Sequence, residues 1–187
     1  MAHFFPLISS ISFQISTTKD NNFKMDPLNN RAIEIDAIVE KLQLLPHPEG
    51  GFYNEMYRSE EVIEQYDRNL LTSIYFLLTS DNISKFHRIK SDELWYFHSG
   101  SPLIVHTLDA NGYSQHLVGN DLAAGQQPQL LVPKNTIFGS SVLKNNSYSL
   151  VSCAVAPGFD FRDFELFAAE ELLIDFPEHK EIIDQLT

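Results

Sequence analysis

Between Gly51 and Val155 the chain runs as a train of short β-rich segments bounded by turn residues, and this pattern constrains the fold more than any other feature. The segments are 51–59, 71–79, 93–98, 103–108, 113–118, 129–132, 137–142 and 148–155. Asn111-Gly112 reads as a hairpin turn and Ser99-Gly100-Ser101 as a second tight turn. Eight such strands in succession predict an antiparallel sandwich or barrel, most economically a jelly roll whose inner face forms a pocket.

Helical patterns flank this all-β stretch. Ile35, Ile38, Val39 and Leu42 recur at the spacing of one helix face, with Asn30 as the expected cap and Pro46 and Pro48 as the expected stop. After Phe167 the pattern turns helical again, over 167–175 and 177–186, with Pro177 suited to a first turn. Residues 1–24 are rich in Ser and Thr, lack a basic start and a small-residue cleavage site, and read as an extension ahead of one domain spanning 25–187.

Composition removes several function classes. With 25 acidic and 13 basic side chains the formal charge is -12, and no Lys/Arg cluster suits a phosphate backbone, so no nucleic-acid partner is expected. No apolar run is long enough to span a bilayer. A single cysteine, Cys153, rules out a disulfide framework within the chain and points to a reducing, cytoplasmic setting. From Phe159 to Thr187 nine acidic residues face two basic ones, so more than half of the excess charge belongs to the tail, which reads as a solvated appendage.

The chemistry concentrates in His87-Arg88-Ile89-Lys90-Ser91-Asp92-Glu93-Leu94-Trp95-Tyr96-Phe97-His98. Strand alternation puts Glu93, Trp95 and Phe97 on one face. A carboxylate beside two aromatics needs a partner if that face is buried, and His87 is the expected one. Imidazole titrates near neutral pH, so His87 with Glu93 forms a candidate acid–base dyad.

His87, Glu93 and Gly100 match the spacing of the first motif of the cupin superfamily. The motif's second histidine is Ile89, and the histidine of the second motif falls on Phe138, in Pro133-Lys134-Asn135-Thr136-Ile137-Phe138. Two of the usual four metal ligands are therefore replaced by apolar residues, and no metal or other cofactor is expected. Further blocks resemble the small cupin-5 family, a domain of unknown function. They are Pro46-His47-Pro48-Glu49-Gly50-Gly51-Phe52-Tyr53, Tyr57-Arg58-Ser59, Ser91-Asp92-Glu93-Leu94-Trp95, Asp121-Leu122-Ala123-Ala124-Gly125-Gln126, and Ser152 through Phe161. The resemblance implies a double-stranded β-helix, commonly dimeric and related in shape to metal-free sugar-nucleotide epimerases.

Around His87 and Glu93 the expected ligand-binding residues are Glu49, Tyr53, Arg58, Trp95, Phe138 and Asp160. The two glycines after Glu49 permit a tight turn that brings its carboxylate over the pocket. Tyr53 and Arg58 have opposite parity on one strand, so a bulge is required for both to face inward. Arg58 reads as an anion contact, and Trp95 and Phe138 as stacking walls. Asp160 follows Pro157-Gly158 and either reaches the site or caps a turn. His47, His98, His106 and His116 show no paired ligand spacing and read as structural or exposed, and Cys153 reads as an inert core thiol.

Three function classes remain open on the sequence. The leading one is a metal-independent isomerase or epimerase of a small polar, sugar- or nucleotide-like molecule. The second is a binding or sensing module that uses the same pocket without chemistry, and the third, against which the two replaced ligands count, is metal-dependent oxygen or isomerase chemistry. Strand edges that need covering predict a homodimer in each case.

Overall fold

The computed structural model describes residues 27–187, and the reading of residues 1–24 lies outside them. Helix α1 (Pro27–Lys41) begins before the anticipated cap, so Asn30 lies within it. The prolines do not end it either. Gln43 takes a φ of 53°, and the amides of Gln43 and Leu44 donate back to the carbonyls of Glu40 and Val39 at 3.2 and 2.9 Å, a Schellman turn that closes the helix.

The strands follow in order as β1 (Leu45–Pro46), β2 (Phe52–Arg58), β3 (Val62–Ile63), β4 (Arg68–Asn69), β5 (Thr72–Thr79) and β6 (Ile83–Arg88). The chain continues through β7 (Asp92–Gly100), β8 (Leu103–Asp109), β9 (Gly112–Val118), β10 (Gln129–Val132), β11 (Ile137–Val142), β12 (Tyr148–Ala156) and β13 (Glu165–Leu166). All eight anticipated strands form, with ends displaced by one or two residues. The first hairpin turn is Ala110-Asn111, one residue earlier than expected, because Gly112 at a φ of 96° already pairs with Asp109.

One sheet has the order β1-β2-β5-β12-β7-β10, the other β13-β6-β11-β8-β9, and β3 with β4 forms a small ribbon. The two larger sheets face each other as a jelly roll around a core that includes Phe76, Trp95, Val105, Phe138 and Val151. Alternation on β7 holds as read: Glu93 and Trp95 both point inward and are buried.

Helices cover the outer faces. Ile35, Ile38, Val39 and Leu42 of α1 pack on Leu77 and Tyr148 behind the first sheet. Behind the second, α2 (Ala169–Asp175) and α3 (Lys180–Gln185) enclose Leu172, Ile183 and Leu186 with Phe86 and Leu108. Burying each such side chain is worth about 1.5–3 kcal/mol. The acidic tail is therefore no solvated appendage: its charges face water, but its apolar stripe completes a second core. The same segment covers β6, since β13 pairs with it and the Leu186 carbonyl accepts the Phe86 amide at 2.7 Å. No helix among the described residues is long and apolar enough to cross a membrane.

Candidate active site

One end of the barrel opens into a cavity of about 460 Å3. Its floor is set by strand direction. Inward residues at the start of β5 and β7 and at the end of β6 and β12 meet there, which brings Thr72, Ile74, Glu93, His87 and Val155 together.

His87 reaches the floor through an irregularity that the sequence pattern conceals. On β11, Phe138 pairs with His87 and Ser140 pairs with Ser84, so two steps on β11 face three on β6. This bulge turns Ser84 and His87 to the same side and sends Phe86 outward to the tail helices. It needs a glycine opposite, because a Cβ on Gly139 would stand 2.7 Å from the Ser84 carbonyl oxygen. The broken alternation hides β6 as a strand.

Glu49 arrives on the turn after β1. Gly50 has a φ of 112°, and a Cβ there would lie 1.9 Å from the Ile83 carbonyl, so only glycine lets the turn dock on β6. The Lys85 amide donates to the Glu49 carbonyl at 2.9 Å and locks that contact. The Glu49 side chain is then fully engaged: Ser84 Oγ donates to Oε1 at 2.9 Å, and Oε2 lies 3.1 Å from His87 Nε2. His87 is thus partnered by Glu49 and not by Glu93, a correction to the motif-based pairing.

Burial sets the protonation of these groups. Desolvation raises Glu49 to about 7 against the pull of His47 and Ser84, and lowers His87 to about 4. Despite their ion-pair distance, the two are held as a neutral acid and a neutral ring. Glu93 is raised to about 8, first by desolvation and then by the charge of Glu49, with the Cys153 thiol opposing the shift. Trp95 also approaches this carboxyl, yet its Nε1 finds no hydrogen-bond partner.

The remaining predicted residues divide. Tyr53, Arg58 and Asp160 line the cavity with Glu49, His87 and Glu93. Tyr53 and Arg58 do so together because β2 carries a bulge between Glu55 and Tyr57. Arg58 is not available as an anion contact: Nε and Nη2 donate to Glu55 at 2.8 and 2.6 Å, and Nη1 to Asn69 and the Phe159 carbonyl. Asp160 caps the following turn and pairs with Arg162, which holds its carboxyl below the ordinary range. Trp95 and Phe138, each 1% exposed, are not cavity walls. They lie one layer deeper in the barrel core, where Phe138 packs on the His87 ring at 4.1 Å.

Phe159, Phe161 and Phe164, on the segment leaving β12, supply the aromatic walls instead. His47 was also misread, for it lines the cavity with its ring edge-on to Tyr53 at 4.6 Å and its Nδ1 accepting the Glu49 amide. Its place between two prolines ahead of Glu49-Gly50-Gly51 was the available signal. His106 was read correctly as structural: it is buried away from the cavity between Tyr113 and Ser141.

The family model described as "Cupin superfamily (DUF985)" matches residues 36–167. The chain belongs to the Cupin_5 family. Among solved structures, protein SO0799 from Shewanella oneidensis is 46% identical with a TM-score of 0.77, over 81% of this chain and 96% of that one. A hypothetical protein from Leishmania major is 40% identical with a TM-score of 0.77, over 81% and 97%. The Saccharomyces cerevisiae uncharacterized protein YML079W is 28% identical over 81% of this chain and 84% of its own length. Oxalate decarboxylase from Bacillus subtilis, 18% identical with a TM-score of 0.51 over 76% of this chain and 37% of its own, shares the fold alone.

Many cupins hold a metal, and the donors here do not fit one. Ile89 and Phe138 occupy two ligand positions of the superfamily motifs. His87 turns Nδ1 to the Lys85 carbonyl at 2.6 Å and Nε2 to Glu49. Among the described residues, no three His, Cys, Asp or Glu side chains converge as a ligand set.

Proposed function

We propose that this Cupin_5 protein is a metal-independent acid–base catalyst that isomerises or epimerises a small polar molecule at a carbon next to a carbonyl. The observation that carries this reading is the contact between Glu49 Oε2 and His87 Nε2 at 3.1 Å on the cavity floor, with a second buried carboxyl, Glu93, beside it.

The Lys85 carbonyl can only accept, so His87 Nδ1 carries a hydrogen and Nε2 of the neutral ring presents a lone pair. A lone pair facing a carboxylate oxygen is unfavourable, and the contact is satisfied when one proton lies between them. The pair therefore takes up a proton as a unit, and the Glu49 carboxyl, raised to about 7 by burial, is the group whose affinity governs it. Glu93, at about 8, keeps its proton over a range in which the pair has lost its own. Two groups whose affinities are set apart in this order form a base and an acid.

In the forward step the C–H bond breaks and its proton passes to the Glu49–His87 pair. The electron pair moves into the carbonyl, whose oxygen takes the proton of Glu93, giving an enol. Return of the proton from the pair to the opposite face of that carbon, with the hydroxyl proton of the enol going back to Glu93, gives the epimer and restores the carbonyl and both groups. Proton transfer of this kind contributes about 10²–10⁴-fold.

The test is proton exchange with solvent. The protein is incubated in deuterated water with a small-molecule extract of its native host, and the mixture is searched by mass spectrometry for carbon-bound deuterium. The expected result is at least one compound labelled by the unaltered protein and not by Glu49→Gln or His87→Ala. A compound that binds in the cavity and is recovered unlabelled and unchanged overturns the reading and makes the chain a binding module.

A further inference from the structure

We infer that the cavity selects a small organic cation, an amine or ammonium compound whose charge sits against the Glu49 carboxylate, beside Glu93, while aromatic rings flank its carbon skeleton. This rests on the acid–base reading of the same site and adds to it the charge class of the molecule bound.

The argument is an inventory of charge. Among the described residues four carboxyls line the cavity: Glu49, Glu55, Glu93 and Asp160. Two are already neutralised, Glu55 by the forked contact with Arg58 and Asp160 by Arg162. Glu93 has no such partner. The residue is 7% exposed, the neighbours of its carboxyl are a thiol, an indole and another carboxyl, and it lines the cavity. Glu49 has only histidines and a serine around it. Among the described residues no lysine lines the cavity, and the one arginine that does, Arg58, spends four donor contacts within the protein.

An incoming anion would find no free permanent cation among the lining residues and would stand against the negative charge that the Glu49–His87 pair carries once it has given up its proton. A cation would supply what the floor lacks. The walls suit it as well. Phe159 and Phe161 stand edge to face at 5.0 Å, with Phe164 behind them. Tyr53 closes the side nearest the Glu49 turn. Ring faces attract cations, by more in a desolvated site.

The experiment uses one carbon skeleton at three charges: benzylammonium, benzyl alcohol and benzoate, titrated calorimetrically into the full chain. The expected result is saturable binding of benzylammonium about tenfold or more tighter than benzyl alcohol, with benzoate weakest. In Glu49→Gln, which removes the carboxylate of the Glu49–His87 pair, the cation loses about tenfold while benzyl alcohol is little changed. If that variant does not fold, the series on the unaltered protein still decides. Equal affinities, tighter binding of benzoate, or no saturable binding of benzylammonium overturns the assignment. None of these outcomes touches the deuterium measurement, so the cation assignment can fail while the acid–base reading stands, or the reverse.

Discussion

Glu49 Oε2 lies 3.1 Å from His87 Nε2, and the two side chains come from positions far apart in the sequence, on the turn after β1 and at the end of β6. Because the Lys85 carbonyl fixes the His87 tautomer, this contact holds one exchangeable proton between an acid and a ring.

The rate of carbon–deuterium exchange is expected to follow a narrow bell against pH. Below about 7 the Glu49–His87 pair takes up a proton and ceases to be a base, and above about 8 Glu93 loses the proton it must donate. Glu49→Gln lowers the rate about 10²-fold or more and removes the acid-side limb. A rate that continues to rise past about pH 9 would exclude Glu93 as the acid.

Glu93 also leaves a mark on stability. Its folded pKa of about 8 stands above the ordinary 4.5, so the native state binds its proton more tightly than the unfolded chain does. Its stabilising effect is full below 4.5 and is lost as pH rises through about 8. Glu93→Gln removes this loss. Relative to the unaltered protein, the variant should gain on the order of 2–4 kcal/mol between about pH 5 and about pH 9, read by urea unfolding at each pH. A difference that does not change with pH would show that the carboxyl is not held protonated.

The tail is tied to the site through Phe86, one residue before His87. Leu186 is fully buried, and its carbonyl accepts the Phe86 amide. Leu186→Ala should cost about 2–5 kcal/mol in unfolding experiments. Hydrogen exchange at the Phe86 amide should accelerate more than at amides on the far sheet, such as Leu77. Equal acceleration everywhere would mean that the tail stabilises the fold without bracing β6.

The barrel was legible because β-rich runs recur at short intervals between turn residues such as Gly100, Gly119, Pro133 and Pro157, and because β10 and much of β7 and β12 keep the period of two that a half-buried pleated surface requires. β6 was not, since the bulge at Lys85-Phe86 breaks the period of two, and a periodic reading sees no strand there. The inward set of β7 was correct in direction and silent about depth. Alternation says that Glu93 and Trp95 share a face, but not that the cavity reaches the first and stops short of the second. Motif spacing brought His87 near Glu93, while its actual partner comes from a turn whose docking depends on Gly50 meeting the β6 backbone. The amphipathic stripe in the tail was outweighed by its charge. Net charge describes the wet face of a helix and nothing about the other.

Gly139 is where the strand geometry and the chemistry meet. It faces the β6 bulge, and a methyl group there would approach the Ser84 carbonyl oxygen to 2.7 Å and the Phe86 amide nitrogen to 3.2 Å, both backbone atoms that no side-chain rotation can move. Its own backbone is not in the left-handed region, so the effect of Gly139→Ala is steric and local. To admit the methyl, β6 must move away from β11, and this shifts Ser84 and His87 relative to Glu49 while the turn carrying Glu49 stays docked through Gly50. The variant should lose about 1–3 kcal/mol, the range for overpacking. Its loss of exchange activity should be larger than that stability change alone explains, because a displaced base costs proton-transfer geometry. The decisive readout is the imidazole of His87 followed by nuclear magnetic resonance: in the folded variant its pKa should move up from about 4 toward the ordinary value as the packing around it loosens. An unchanged His87 titration in a folded but inactive Gly139→Ala protein would show that the bulge does not position the ring.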